Sequence, residues 1–218
     1  MITTHLDHLV VTAPTLDAGA EWVHQVLGAE CQPGGTHARM GTHNRLLRLS
    51  ADTYLEIIAA DPSAPSTGRP RWFSLDELSP NSRPRLAAWV ARTNDLTAAV
   101  SASPYPVGLI ESMSRGGLKW QITVPTDGSL PFGGAGPFLI QWDGLSHPAS
   151  RLPDDGYSLV RLELTLPRSD RLNATLEAIG FQGPVIVGHD DAIVLTALIE
   201  TPLGMRRLSS IGGTEHGT

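Results

Sequence analysis

One pattern constrains this chain more than any other: a strand, a helix and then three strands, an order that recurs three times in 218 residues. Such a repeat has to be recognised before a fold class is assigned, because each copy is one supersecondary unit and not a domain. The first copy opens at His5–Thr12, His-Leu-Asp-His-Leu-Val-Val-Thr. Side chains on a strand alternate between faces, which predicts Leu6, His8, Val10 and Thr12 on one face and Asp7, Leu9 and Val11 on the other. Thr15 is a good N-cap, and Asp17 falls in the first turn, where the helix dipole favours an anion. Leu16, Ala20, Val23 and Leu27 recur at helical spacing, and Gly28 ends the helix. A loop rich in Gly and His leads to a strand at Asn44–Leu49. After a turn at Ala51-Asp52, Thr53–Ala60 forms another strand, with Tyr54, Glu56 and Ile58 on one face.

The stretch Asp61–Pro70, rich in Pro, Ser and Gly, reads as a connection, and Arg71–Leu78 carries a short helix. The second copy follows: a strand at Leu86–Thr93, a helix over Asp95–Ser101 capped by Asn94 or Asp95, then strands at Gly108–Ser112, Leu118–Val124 and Pro137–Trp142. The third begins near Tyr157, with a strand at Leu159–Leu166 and a helix over Asp170–Ile179 that Gly180 ends. Strands at Gln182–Val187, Ala192–Glu200 and Met205–Ser209 complete it. The copies share element order and little sequence. Gly133-Gly134-Ala135-Gly136 precedes a strand and lacks the Lys-Ser/Thr of a phosphate loop, so it reads as a turn. The last seven residues, from Gly212, read as a frayed tail.

Bulk properties exclude some functions. Hydrophobic residues make up 41% of the chain and charged residues 17%, enough for a substantial core. A net charge of −6 argues against nucleic acid, which requires a basic face. No apolar run approaches the roughly 20 residues that cross a membrane. No basic head followed by an apolar stretch opens the chain, so no signal peptide is expected and a cytoplasmic location is. Cys31 is the only cysteine, which excludes an internal disulfide or a thiolate metal cluster within one chain. It has no basic neighbour and reads as an inert thiol.

The stretches "HLDHLVVTAPTLDAGAEWVHQVLGAE" and "GTHNRLLRLSADTYLEIIAADP" resemble the vicinal oxygen chelate superfamily, and more narrowly its glyoxalase-like domain group. The stretch "GLKWQITVP…PFLIQWDGLSHP" is similar to the second half of such a domain. The resemblance covers residues 1–150, with modules at 1–60 and 86–147, and leaves 151–218 as an additional βαβββ-like unit. It implies an α+β fold in which repeated βαβββ modules form a curled mixed sheet around a pocket, helices outside. In metal-using members the ligands come from the first and fourth strands of each module. Carried over, these positions fall on His8 and Glu56 in the first module. In the second they fall on Ala88, which cannot bind a metal, and near Gln141, whose amide is a weak ligand. Imidazole and carboxylate suit a divalent ion such as Zn, Ni, Fe or Mn.

Two polar groups on otherwise apolar strands need partners, so His8 and Glu56 either contact a metal or substrate or hold each other in a buried hydrogen bond. Asn44 either points its amide into the pocket or caps a strand turn. Arg48 shares a face with Asn44, which makes it the candidate for an anionic substrate. Trp120 either lines the pocket or packs under a helix. His147, after the last strand of the second module, is either an acid or base at the pocket mouth or an exposed loop residue. The resemblance implies metal-assisted lyase or isomerase chemistry on a small carbonyl compound or its thiol adduct, with Glu56 moving the proton. The alternative is a metal-free protein that binds or sequesters a small molecule. The third unit either packs on the pocket of the first two or pairs with another chain in a homodimer.

Overall fold

Thr15 and Gly28 bracket the first helix. The Thr15 hydroxyl accepts the Ala18 N–H at 3.1 Å, and Gly28 closes the other end at φ 71°, a left-handed conformation that glycine adopts without strain. The computed structural model describes residues 1–144 and 146–211. The tail from Gly212 therefore lies outside the described residues. In the first copy β1 (Thr4–Thr12) precedes α1 (Leu16–Leu27), β2 (Gln32–His37), β3 (Thr42–Arg48) and β4 (Tyr54–Ala60). The second comprises β5 (Arg85–Thr93), α2 (Leu96–Ala102), β6 (Leu109–Arg115), β7 (Leu118–Val124) and β8 (Phe138–Trp142). The third comprises β9 (Ser158–Leu166), α3 (Ser169–Ala178), β10 (Phe181–Gln182), β11 (Val185–His189), β12 (Val194–Thr201) and β13 (Gly204–Ser209). The fold is α+β, built from repeated βαβββ modules.

Two segments differ from the sequence reading. The Gly- and His-rich loop contains strand β2, which pairs antiparallel with β3 from Gln32 opposite Leu46 to His37 opposite Thr42. It tolerates Pro33 and two glycines because it is an edge strand with a bulge. Gln182–Val187 is not one strand, because Gly183-Pro184 interrupts it. Phe181-Gln182 hydrogen-bonds to the start of β1, and Val185–His189 pairs with β9.

The first two modules form one sheet in the order β2-β3-β4-β1-β5-β8-β7-β6, joined through antiparallel β1 and β5. The sheet curls into a half-barrel, so that its edges β2 and β6 approach each other. Its convex face carries Leu9, Val11, Leu55, Ile57, Trp89 and Leu139. These pack with α1, α2 and the third unit's Leu162, Leu164, Leu195 and Ile199 in one continuous core. The third unit thus covers the face opposite the pocket. Alternation on β9 and β12 gives its four-stranded sheet one strongly apolar face, and that face turns inward.

The concave face is also filled. Val10, Ile58, Ala88, Val90, Ile122 and Phe138 pack against Trp72, Phe73 and Leu75 from the segment between the modules. The short helix expected there is a single 3₁₀ turn, Leu75–Glu77. Phe73 and Ser74 hold φ values of 58° and 51°. Left-handed backbone costs a non-glycine residue about 1–2 kcal/mol. Burial of Trp72 and Phe73, the latter edge-on to Phe138 at 4.7 Å, offsets that cost. Among the described residues no helix is long and apolar enough to cross a membrane.

Candidate active site

Strand β1 does not alternate as its sequence predicts. Its register against β5 slips between Leu6 and His8. A bulge at Asp7 turns Leu6 into the convex core beside Leu9 and brings Asp7 to the same side as His8. Asp7 is fully buried. Its Oδ1 accepts from His8 Nδ1 at 2.6 Å, and its Oδ2 from Trp142 Nε1 at 2.9 Å and His147 Nε2 at 3.1 Å. Burial alone raises the pKa of a carboxyl. Here the hydrogen bonds from His147 and His8 outweigh it and hold Asp7 well below the usual carboxylate range. An ionised Asp7 only accepts, so His8 carries its proton on Nδ1 and turns Nε2 toward the cavity.

Nε2 of His8 lies 3.6 Å from Oε2 of Glu56, the β4 residue. The other Glu56 oxygen accepts from Asn44 Nδ2 at 2.5 Å, and Asn44 Oδ1 accepts the Gly35 N–H at 2.8 Å. The amide of Asn44 is therefore used at both ends. A Cβ on Gly34 would sit 2.0 Å from Asn44 Oδ1, so glycine is required beside this clamp. Tyr54 stacks on the His8 ring at 4.5 Å between centroids. Burial, with the negative charge of Asp7 and Glu56, pushes its phenol well above the ordinary value and keeps it neutral.

His8, Tyr54 and Glu56 share a cavity of about 20 Å³ with Trp72, Trp120 and Trp142, room for one water-sized group. The Trp120 and Trp142 rings, 5.3 Å apart between centroids, form one wall of this cavity. At the opposite wall the curled sheet brings His37 of β2 against Arg115 of β6. The Arg115 guanidinium donates to His37 Nε2 at 3.1 Å. Arginine has no acceptor, so Nδ1 of His37 carries the hydrogen and donates to Thr42 Oγ1 at 3.1 Å. Burial lowers the His37 pKa to about 4, leaving the ring neutral at pH 7.

Among the residues singled out from sequence, His8, Glu56 and Trp120 line the cavity, and Asn44 clamps Glu56 from behind. Three others lie elsewhere. Gln141 sits between the cavity-facing Ile140 and Trp142, so strand alternation turns it to the convex side, where Oε1 accepts the Leu96 N–H at the start of α2. Arg48 shares the face of Asn44 but lies four residues on, about 13 Å along the strand. There it binds the Ser50 and Leu152 carbonyls and pairs with Asp154. His147 is neither an exposed loop residue nor a cavity group: Nε2 donates to Asp7, and Nδ1 accepts the Ala149 N–H. Ala88 faces the concave side and offers no donor atom. Cys31 is half-buried, and burial pushes its thiol to about 12.

A catalytic zinc-type site uses three protein ligands and an open position. Here His8 Nε2 and Glu56 Oε2 are two. Gln141 points away, and His37 Nε2 is taken by Arg115. Among the described residues no three His, Cys, Asp or Glu side chains are arranged to hold an ion, so the donor set does not fit a resident divalent metal. Sequence reasoning placed Tyr54 on the face of Glu56 without giving it a role, and missed Asp7, His37 and Arg115 as site residues. Of these three only Asp7 carried a signal, as a residue type depleted from strands within an apolar strand.

Comparison with solved structures finds the same fold in a hypothetical protein from Staphylococcus aureus, with a TM-score of 0.59 at 13% identity over 87% of each chain. Weaker likenesses include the Mn(II)-bound glyoxalase from Novosphingobium aromaticivorans, with a TM-score of 0.46 at 9% identity over 94% of this chain and 81% of that one. A Streptomyces coelicolor methylmalonyl-CoA epimerase has a TM-score of 0.43 at 16% identity over 65% of this chain and 97% of that one. No curated protein sequence matches the chain. The sequence profile of the glyoxalase-like domain matches residues 6–180. With most of its length matched and its modules curled around one cavity, the chain belongs to the glyoxalase-like domain family.

Proposed function

We propose that this protein moves a proton at the carbon beside a carbonyl group of a small substrate, as an isomerase or lyase that needs no resident metal. One observation carries this reading. Asp7 orients His8 so that Nε2 stands beside the Glu56 carboxylate, 3.6 Å away, at the wall of an aromatic cavity. An acid and a base side by side in a water-poor site are what a carbon-bound proton requires.

Glu56 removes the proton from carbon, and the electron pair of the broken C–H bond passes to the carbonyl oxygen as an enolate. The proton passes to His8 Nε2, where Asp7 stabilises the imidazolium, as a buried carboxylate does in other Asp–His pairs. His8 then returns it to the same carbon or its neighbour. Tyr54, held neutral, is the O–H donor available to the enolate oxygen. Substrate entry has to displace side chains of the cavity wall, which encloses room for one water-sized group.

Proton NMR in D₂O tests this with hydroxyacetone, pyruvate and the hemithioacetal of methylglyoxal. The protein is expected to exchange the hydrogen beside the carbonyl in at least one of them, and Glu56→Gln to stop it. Binding of these compounds with no exchange in any would overturn the reading. It would leave a metal-free small-molecule capture protein, which the indole-rich cavity also suits.

A further inference from the structure

We propose that Arg115 is the group that recognises the substrate, by binding an anionic head, carboxylate or phosphate, at the cavity wall. The inference rests on the reading of this cavity as the substrate site. Two neighbouring arginines, Arg39 and Arg69, share one carboxylate, that of Glu111 on the same strand as Arg115. Arg115 is half-buried, lines the cavity, and has no carboxylate partner among the described residues. Its side-chain partner among the described residues is a neutral imidazole, a weak partner for a permanent cation partly withdrawn from water.

The local geometry lets this arginine reach inward and move. Its stem crosses the bare backbone of Gly35, where a Cβ would lie 2.8 Å from Arg115 Cδ. Both members of the Arg115–His37 contact sit on the edge strands of the half-barrel, so no ladder of hydrogen bonds locks one to the other. An anion in the cavity offers two oxygens to the planar guanidinium in place of one ring nitrogen. Releasing His37 also enlarges a cavity that now admits one water-sized group. The same cavity holds Glu56, so the anionic head has to lie on the Arg115 side, with the carbonyl carbon toward Glu56. Substrates that carry an anionic head close to a carbonyl, the 2-oxo acids and the phosphorylated hydroxyketones, present both groups at once.

Quenching of the cavity tryptophans measures binding without turnover. The intact protein is titrated with pyruvate as the carboxylate probe, inorganic phosphate as the phosphate probe, and hydroxyacetone as a neutral carbonyl. The wild-type protein should bind at least one anion more tightly than hydroxyacetone, and whichever anion it prefers names the head group. Arg115→Gln should weaken that anion by about tenfold or more and leave hydroxyacetone unchanged. His37→Leu, which removes the resting partner and keeps the guanidinium, should retain or tighten anion binding. Equal losses in both variants would mean that the contact only holds the seam together, and would overturn the proposal. So would the absence of anion preference in the wild-type protein, or an anion affinity unchanged in Arg115→Gln. Hydrogen exchange on hydroxyacetone is read separately, so a failed anion site is distinguished from a failed proton-transfer site.

Discussion

Oδ1 of Asp7 lies 2.6 Å from Nδ1 of His8, its neighbour in sequence, although adjacent strand residues ordinarily point to opposite faces. The bulge that makes this contact converts a core aspartate into the anchor of the site. Asp7→Ala should be far more damaging than a typical core truncation, because it leaves Trp142 Nε1, His147 and His8 without their shared acceptor. A loss of about 3–5 kcal/mol is expected in urea unfolding, with Asp7→Asn intermediate.

Acid stability follows from two groups. His37 titrates near 4 when folded against an ordinary value of 6.5, so between those values the unfolded chain binds the extra proton. Stability should therefore fall as pH drops from 6.5 toward 4, by about 3 kcal/mol at most, and His37→Leu should flatten that limb. Asp7, whose folded pKa is depressed, contributes stability above its ordinary value of 3.8 that is lost on further acidification. Thermal melts of the two variants from pH 3 to 7 separate the limbs.

His8→Gln and Glu56→Gln should each reduce substrate hydrogen exchange by about 10²–10⁴-fold, the usual range for a positioned acid or base. Asn44→Leu should act through Glu56. It should lower turnover more than it raises KM, because Asn44 holds the carboxylate without lining the cavity.

Chelation should leave melting temperature and exchange activity unchanged, and added Zn, Ni, Mn or Fe(II) should not stabilise the protein. A rise in melting temperature that disappears in both His8→Ala and Glu56→Ala would instead assign an ion to that pair.

The convex core predicts how the third unit behaves. Leu164 is fully buried in the same cluster as Leu9 and Ile57. Leu164→Ala should cost about 2–5 kcal/mol and lower one cooperative transition, with the cavity tryptophans unfolding together with the rest. Two separate transitions would mean that residues beyond 150 fold as an independent body.

The periodicity of the chain determined its elements and their order. Caps at Thr15, Asp95 and Gly28 and alternation on β4, β7 and β9 are local properties, set by backbone and side-chain geometry within a few residues. That is why the modules, and the cavity-facing positions of His8, Glu56 and Trp120, were legible. What tertiary structure alone decided depends on contacts distant in sequence. The bulge against β5 placed Asp7 beside His8. Strand alternation, in the register set by pairing with β7, sent Gln141 to α2. Curling of the sheet joined His37 to Arg115 across 78 residues. A one-residue slip reverses a side chain's face, and pairing of strand edges is set by the whole sheet. The polar constellation of the cavity therefore could not be read from any single stretch of the chain.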